Sequence, residues 1–302
     1  MSAQRAIGVD VGGTKILAGV VDRQGVVARR EEGPTPLSTE DALLAALDAA
    51  VEGLLEDDVA ALGFGIPSTI DQRAGRAVSS VHIPLADIDF RDRMAERFGL
   101  PVAIDNDANA AAIAEWRLGA GRGASHVVVL TLGTGIGGGL ILDGRPYRGS
   151  IGAGAELGHM ILDYGGAPCG GGCTGRGHFE ALASGIAADQ AAARRFGAGA
   201  NARTLVAAAR DGNEGAKEDL AEIGRRLGAG IGALVNIFNP EVVVLAGGFA
   251  EARDLILAPA REVMAREALR PGRDLVRIEW AQLGPEAGMV GAALVGFEAL
   301  ET

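Results

Sequence analysis

The sequence predicts an α/β protein, and three observations lead there. Short runs of branched apolar residues alternate with segments whose apolar residues recur every three or four positions. One local pattern also occurs twice: an apolar strand, a glycine turn carrying threonine, a second apolar strand and an Asp near a further glycine turn. It runs through residues 6–25 and again through 127–144, and a repeat of this kind implies two related lobes. Finally, glycine accounts for 47 of 302 residues and clusters in short loops, where backbone can approach a ligand or other backbone.

In chain order, residues 6–10 read as a strand, followed by the tight loop Val11-Gly12-Gly13-Thr14 and a second strand over 15–22. Ser38 is placed to cap a helix, with Asp41 three residues on, and Leu43, Leu44, Leu47, Val51, Leu54 and Leu55 supply its apolar face. Residues 61–66 form a short buried strand that Pro67 stops. A helix is expected over 90–98, a strand over 101–104, and a helix from near Asp107 through Trp116. Strands at 127–132 and 140–142 flank the glycine run 133–139, and residues 145–180 are rich in loop. Leu220, Ile223, Leu227, Ile231, Leu234 and Phe238 mark a long helix that Pro240 ends. A buried strand over 241–246 leads into Gly247-Gly248, and 289–300 is the last helix.

The formal charge of −11 makes the chain a poor non-specific partner for nucleic acid or an anionic membrane. No apolar run of about 18 residues is present, so no membrane span is expected. The opening residues carry no apolar signal region, and Cys169 and Cys173 are too few and too close for a secreted disulfide framework. A cytoplasmic setting fits these features.

Two glycine loops are candidate phosphate cradles, DVGGTK at 10–15 and TLGTGIGGG at 131–139, because successive backbone N–H groups in such turns form anion-binding concavities. Taken alone, each is more often merely a turn. Gly133, Gly135 and Gly138 formally match a dinucleotide fingerprint, but a strand follows where that motif needs a helix. Gly247-Gly248 is a third candidate, suited to border a nucleoside or simply to turn a strand into a helix. Asp107, at a strand-to-helix junction in Asp105-Asn106-Asp107-Ala108-Asn109, suits either proton acceptance or helix capping. His159, Cys169, Cys173 and His178 make a Cys₂His₂ set suited to a closed tetrahedral zinc site, the alternative being two inert thiols and two ordinary histidines.

Together DVGGTK at 10–15, DNDANAAA at 105–112, LGTGIGGG at 132–139, ELGH at 156–159 and VLAGGFAE at 244–251 resemble the ROK kinases, in order and over most of the chain. This family of repressors, open reading frames and kinases belongs to the actin-like ATPase superfamily. The resemblance implies an α/β, two-lobed actin-like ATPase (ribonuclease H-like) fold with duplicated lobes around a cleft. It places a small lobe at 1–116, a large lobe at 117–287 with a zinc loop at 159–178, and a C-terminal helix, 288–302, packing back on the first lobe. The family's repressors carry an N-terminal helix-turn-helix region; here the phosphate loop begins at residue 10, which favours the kinase branch.

The same resemblance implies residue roles. Asp107 becomes the general base and Asn106 a sugar contact. Asp10 lies near Mg²⁺, while Gly12, Gly13, Thr14, Lys15, Gly133, Thr134, Gly135, Gly247 and Gly248 serve the nucleotide. Gly137, Glu156, His159 and Glu180 stand beside the sugar, and His159 has a second nitrogen for the metal. The zinc loop departs from the family's commonest pattern, with C-x₃-C spacing and His178 in the place of a cysteine. Ser68 replaces a common glycine, and His82, in Val81-His82-Ile83-Pro84, stands at a sugar-facing position. The expected reaction is D-glucose plus MgATP giving glucose 6-phosphate and ADP. An N-acetylhexosamine or fructose kinase is the alternative within the family, and a non-catalytic sugar sensor the alternative outside it. Polyphosphate is a second donor to test. A homodimer or homotetramer, with no nucleic-acid or membrane partner, is the expected assembly.

Overall fold

The computed structural model describes residues 4–80, 82–170 and 173–301. Val81, part of the segment expected near the sugar, lies outside them. The chain opens with strands β1 (Arg5–Val11), β2 (Lys15–Asp22) and β3 (Val27–Pro34), helix α1 (Glu40–Glu52) and β4 (Val59–Ile66). Three short strands follow, β5 (Thr69–Asp71), β6 (Arg76–Ser79) and β7 (Ala86–Ile88), then α2 (Phe90–Phe98), β8 (Val102–Asn106) and α3 (Asp107–Leu118). Next come β9 (Val127–Leu132), β10 (Ile136–Leu142), β11 (Arg145–Pro146), α4 (Phe179–Ala183), α5 (Gly185–Phe196), α6 (Ala202–Arg210) and α7 (Glu214–Phe238). The chain finishes with β12 (Val242–Ala246), α8 (Arg253–Glu267), α9 (Gly272–Leu275), β13 (Arg277–Trp280) and α10 (Ala287–Glu298). The sheets run β3-β2-β1-β4-β8, β11-β10-β9-β12-β13 and β5-β6-β7. No helix among the described residues is long and apolar enough to cross a membrane.

The chain divides into two compact units. The first comprises residues 1–123, 139–155 and 282–302, and the second 124–138 and 156–281. The first boundary therefore falls after residue 123, not 116, and residues 139–155 group with the first unit.

In the first unit, β1 runs antiparallel to β2 and parallel to β4, and β4 runs parallel to β8. Alternate side chains feed two apolar layers. Ile7, Val9 and Phe64 face Leu43, Leu47, Phe90 and Met94, while Ala6, Leu17 and Val21 face Ala114, Met289 and Phe297. The second layer is thin at the strands themselves. A Cβ on Gly63 would lie 1.8 Å from the Ala292 carbonyl oxygen, and one on Gly8 2.0 Å from that of Met289. Only glycine lets α10 lie this close to the strand backbone. Glu115 of α3 is wholly buried, and its carboxylate accepts from the backbone N–H groups of Ala120, Gln282 and Leu283. It thereby ties the segment leaving the first unit to the segment returning to it.

In the second unit, β9, β12 and β13 are parallel; β12 is a continuous buried apolar run and β9 is one up to Thr131, as strands covered on both faces should be. Leu220, Ile223, Leu227, Ile231 and Leu234 form the buried face of α7. That helix ends at Asn239 in the left-handed region, φ 45°.

Several local expectations are corrected. Thr39, not Ser38, caps α1, accepting from the Ala42 N–H at 3.2 Å. Its helix stops at Glu52, so Leu55 stays 41% exposed. The strand after the second glycine loop begins at Ile136, four residues before the expected start, because that loop is a short turn. β3 carries four consecutive charges and gives no apolar signal; it is an edge strand, where charge protects against unwanted pairing.

Candidate active site and metal centre

In the first unit the candidate residues gather at the carboxyl ends of three neighbouring parallel strands. The register pairs Asp10 with Gly65 and Ile66 with Asn106, so the loops after β1, β4 and β8 share one edge. Ligands of open α/β sheets bind at such edges. The loop 12–14 is held by Thr35. The Thr35 hydroxyl donates to the Gly12 carbonyl at 2.7 Å and its N–H to the Thr14 carbonyl at 3.1 Å. Gly12 and Gly13 are half-buried, while Thr14 and Lys15 are exposed. Lys15 pairs with Glu32 at 2.8 Å, which makes it a surface ion pair next to the loop.

The capping question at β8–α3 has a definite answer. Asn106 is the N-cap, its side-chain oxygen accepting from the N–H groups of Ala108 at 2.9 Å and Asn109 at 3.3 Å. Asp107 is thus the first helical residue, half-buried, and is not used as the cap. The Asn106 amide nitrogen reaches the Ser68 carbonyl at 3.4 Å. Burial raises the Asp10 carboxyl to about 7, repulsion from Asp107 adds to the rise, and Lys15 opposes it. The two carboxylates are therefore close enough to feel each other.

Ser68 and His82 lie in the segments that follow β4 and β6. Ser68 is buried, and its hydroxyl donates to the Ser79 carbonyl at 2.8 Å, which ties the residue before β5 to the end of β6. His82 is exposed and lies beside the 12–14 loop, its Cβ 4.0 Å from where a Cβ on Gly13 would sit. Ser80 organises that turn, accepting from the N–H groups of His82 and Ile83 and donating to the Pro67 carbonyl.

In the second unit, β9 and β12 are parallel neighbours, and the loops after them fall together. Gly247 lies against the backbone of Leu132, and Gly248 is exposed beside it. The loop 133–135 is braced by three contacts. The Gly185 and Ile186 N–H groups donate to the carbonyls of Gly133 (2.9 Å) and Thr134 (3.0 Å), and the Ile136 N–H donates to Glu180 Oε2 (3.2 Å). A Cβ on Gly135 would lie 2.3 Å from that same oxygen, so a larger residue there would displace the Glu180 carboxylate from the loop. Gly137 is a half-buried residue of β10.

Two short backbone crossings assemble the metal-ligand set. The bridge Ile161–His178 and the bridge Pro168–Arg176 fold residues 159–178 on themselves. His159 ends a short helical turn, and His178 precedes the first residue of α4. One ligand atom from each of His159, Cys169, Cys173 and His178 lies within 4.8 Å of all the others. The two Nδ1 atoms are 3.1 Å apart, Cys169 Sγ is 3.8 Å from His159 Nδ1, and Cys173 Sγ is 3.7 Å from His178 Nδ1. A tetrahedron with ordinary zinc bond lengths has edges of about 3.3 Å for N–N and about 3.6 Å for N–S. The residues fit a zinc ion.

His159 is exposed and turns Nδ1 inward, which leaves Nε2 for another partner. Glu180 links the cluster to the glycine loop: its Oε1 accepts from the Cys169 thiol at 3.1 Å while Oε2 serves Ile136. Burial, the bond to Glu180 and the nearness of Cys173 push the metal-free Cys169 thiol up to about 12. Burial also raises the Glu156 carboxyl, with His159 opposing and Glu180 reinforcing. The structure therefore brings Glu156, His159 and Glu180 into one electrostatic neighbourhood. Thr35 and the bracing half of Glu180's work were not evident in the sequence, because neither belongs to a local motif.

The sequence profile of the ROK family matches residues 6–297. The chain belongs to the ROK family. A ROK glucokinase from Streptomyces griseus, solved with glucose and AMPPNP, superposes with a TM-score of 0.85 at 36% identity, covering 97% of this chain and 99% of that one. The glucokinase of Streptomyces coelicolor is 36% identical across 95% of this chain and 96% of its own length. The N-acetylmannosamine kinase of Citrobacter koseri is also 36% identical, across 96% and 97%. The α/β actin-like ATPase fold class expected from the motifs is the class of these ROK structures.

Proposed function

We propose that this ROK protein is an ATP-dependent sugar kinase of the glucokinase type, with Asp107 as general base. The observation that carries the reading is the shared strand edge of the first unit, where the 12–14 loop, Asp10 and an uncapping Asp107 stand together. Phosphoryl transfer needs positioning, charge neutralisation and a proton acceptor. Asp107 takes the proton of the sugar's primary hydroxyl. That oxygen then bonds to the γ-phosphorus as the bond to the bridging oxygen breaks and ADP leaves. Mg²⁺, when bound with the nucleotide, supplies charge neutralisation near Asp10. The loops 12–14, 133–135 and 247–248 meet the nucleotide through backbone N–H groups and the Thr14 and Thr134 hydroxyls. The Asn106 amide nitrogen, Glu156, Glu180 and His159 Nε2 meet the sugar hydroxyls.

His159, Cys169, Cys173 and His178 would supply all four ligands of a tetrahedral zinc ion, which would then hold the loop in shape and have no open position for catalysis. Metal analysis of tag-free protein should find about one zinc per chain.

Glucose is the favoured acceptor because the Streptomyces relatives are glucokinases and one was solved with glucose. The N-acetylmannosamine kinase of equal identity supports the second reading, an N-acetylhexosamine. A matrix of ATP and polyphosphate against glucose, fructose and N-acetylmannosamine, read by product formation, separates them. Glucose with ATP should be the fastest pair, and no turnover of glucose would overturn the first choice.

A further inference from the structure

Asp105 is a wholly buried carboxylate two residues before the proposed base. Its Oδ1 accepts from the Asn106 N–H at 2.8 Å and the Asn109 side-chain amide at 3.0 Å. Those two groups, with Asn106 as the cap, define the turn that presents Asp107. Its Oδ2 is held by Arg148 Nε at 2.6 Å. A terminal guanidinium nitrogen of Arg148 turns the other way, to Glu298 of α10 at 3.0 Å. Arg148 itself is anchored, since its carbonyl accepts from the Gly154 N–H at 2.9 Å and the Tyr147 N–H donates to the Leu140 carbonyl at 2.8 Å.

A buried carboxylate without a cation is strongly unfavourable, so the turn keeps its shape only while Arg148 is present. We propose that Arg148 is a positioning residue for catalysis: through Asp105 it fixes the β8–α3 turn, and so the carboxylate of Asp107. The inference rests on Asp107 being the base. Arg148 need not touch either substrate. Its planar fork spans Asp105 and Glu298 along two directions, which a lysine ammonium on a flexible stem does not reproduce.

The test is a set of full-length variants assayed with glucose and MgATP: Arg148→Met, Arg148→Lys, Glu298→Gln, Asp107→Asn and the double variant Arg148→Met/Asp107→Asn. Arg148→Met should lower kcat by about 100-fold, the size expected for a misplacement near 1 Å, with both KM values within about threefold. Arg148→Lys should keep its melting temperature and recover kcat only in part. Glu298→Gln should lower kcat by about threefold. Because Arg148 acts through Asp107, the double variant should be no slower than Asp107→Asn alone, within about threefold.

Folded Arg148 variants with kcat within about twofold of the parent would overturn the inference, as would a double variant in which the two losses multiply. If Arg148→Met does not fold, Arg148→Lys and Glu298→Gln decide the question by the same criteria. Near-normal turnover of Asp107→Asn would overturn the base assignment and this inference with it. A crippled Asp107→Asn beside a fully active Arg148→Lys and Glu298→Gln would overturn the inference alone.

Discussion

The two glycine loops have the same sequence pattern and different support. The loop at 12–14 leans on one residue, Thr35, which sits just past the edge strand of the same sheet. The loop at 133–135 leans on Gly185, Ile186 and Glu180, all far downstream, and Glu180 in turn holds Cys169 of the metal set. One loop is braced locally and the other through a relay. A duplicated motif can thus keep its shape while its dependence on the rest of the chain diverges. The first unit also holds the paired carboxylates Asp10 and Asp107, whereas the second holds the cluster that calls for a cation.

The largest expected effect tests where the chemistry lies. Asp107→Asn should lower kcat by about 10²–10⁴-fold, the range for removing a general base. Its melting temperature should hold, because the cap belongs to Asn106. A large fall in melting temperature would return Asp107 to a structural role.

Metal removal comes next and probes the relay. Chelation, or Cys173→Ser, should lower activity by about tenfold or more, expressed as a higher KM for MgATP, with a lower melting temperature. If KM for MgATP stays unchanged in zinc-free protein, the second loop does not depend on the cluster.

The third effect contrasts the units through pH. Asp10 is raised from its ordinary value to about 7, so the folded state holds that proton more tightly than the unfolded chain. The stability it contributes is complete below the ordinary carboxyl range and is lost as pH rises through about 7. Asp10→Asn should remove that loss, gaining on the order of 2 kcal/mol over the parent at pH 8 without Mg²⁺, after discounting for solvent. Metal affinity of the cluster should move oppositely and strengthen with pH, because its ligands must shed protons. Parallel melting curves of parent and Asp10→Asn from pH 4 to 8 would refute the first half.

The smallest effect isolates the local brace. Thr35→Val removes one side-chain hydrogen bond, worth about 1 kcal/mol, and leaves the Thr35 N–H in place. The decrease should be the same with and without a chelator; a chelator-dependent decrease would show that the brace of the first loop is not local.

Most of the framework was legible in the sequence, because it is written in adjacent residues. The 15–22 and 127–132 strands and the 90–98 helix fall where apolar patterning puts them. The four metal ligands, close in sequence, meet in space. What stayed hidden depends on distance or on competition between like residues. Ser38 and Thr39 are both good caps, and only the backbone shows which one bonds. The Ser68 hydroxyl donates to the carbonyl of Ser79, eleven residues on. Arg148 and Asp105 are 43 residues apart, and nothing in their local sequence links an arginine after a hairpin to the turn that carries the base.

The close seating of α10 against Gly8 and Gly63 also fixes an order of events during synthesis. A ribosome releases the first unit's strands early and α10 only after the whole second unit has emerged. Until then one face of the β1–β4 surface lacks its covering helix, whereas all of the second unit's residues have already been made. A chain that ends before residue 287 should therefore, once released, protect the second unit from protease and leave the first unit open to it, whereas the complete chain protects both.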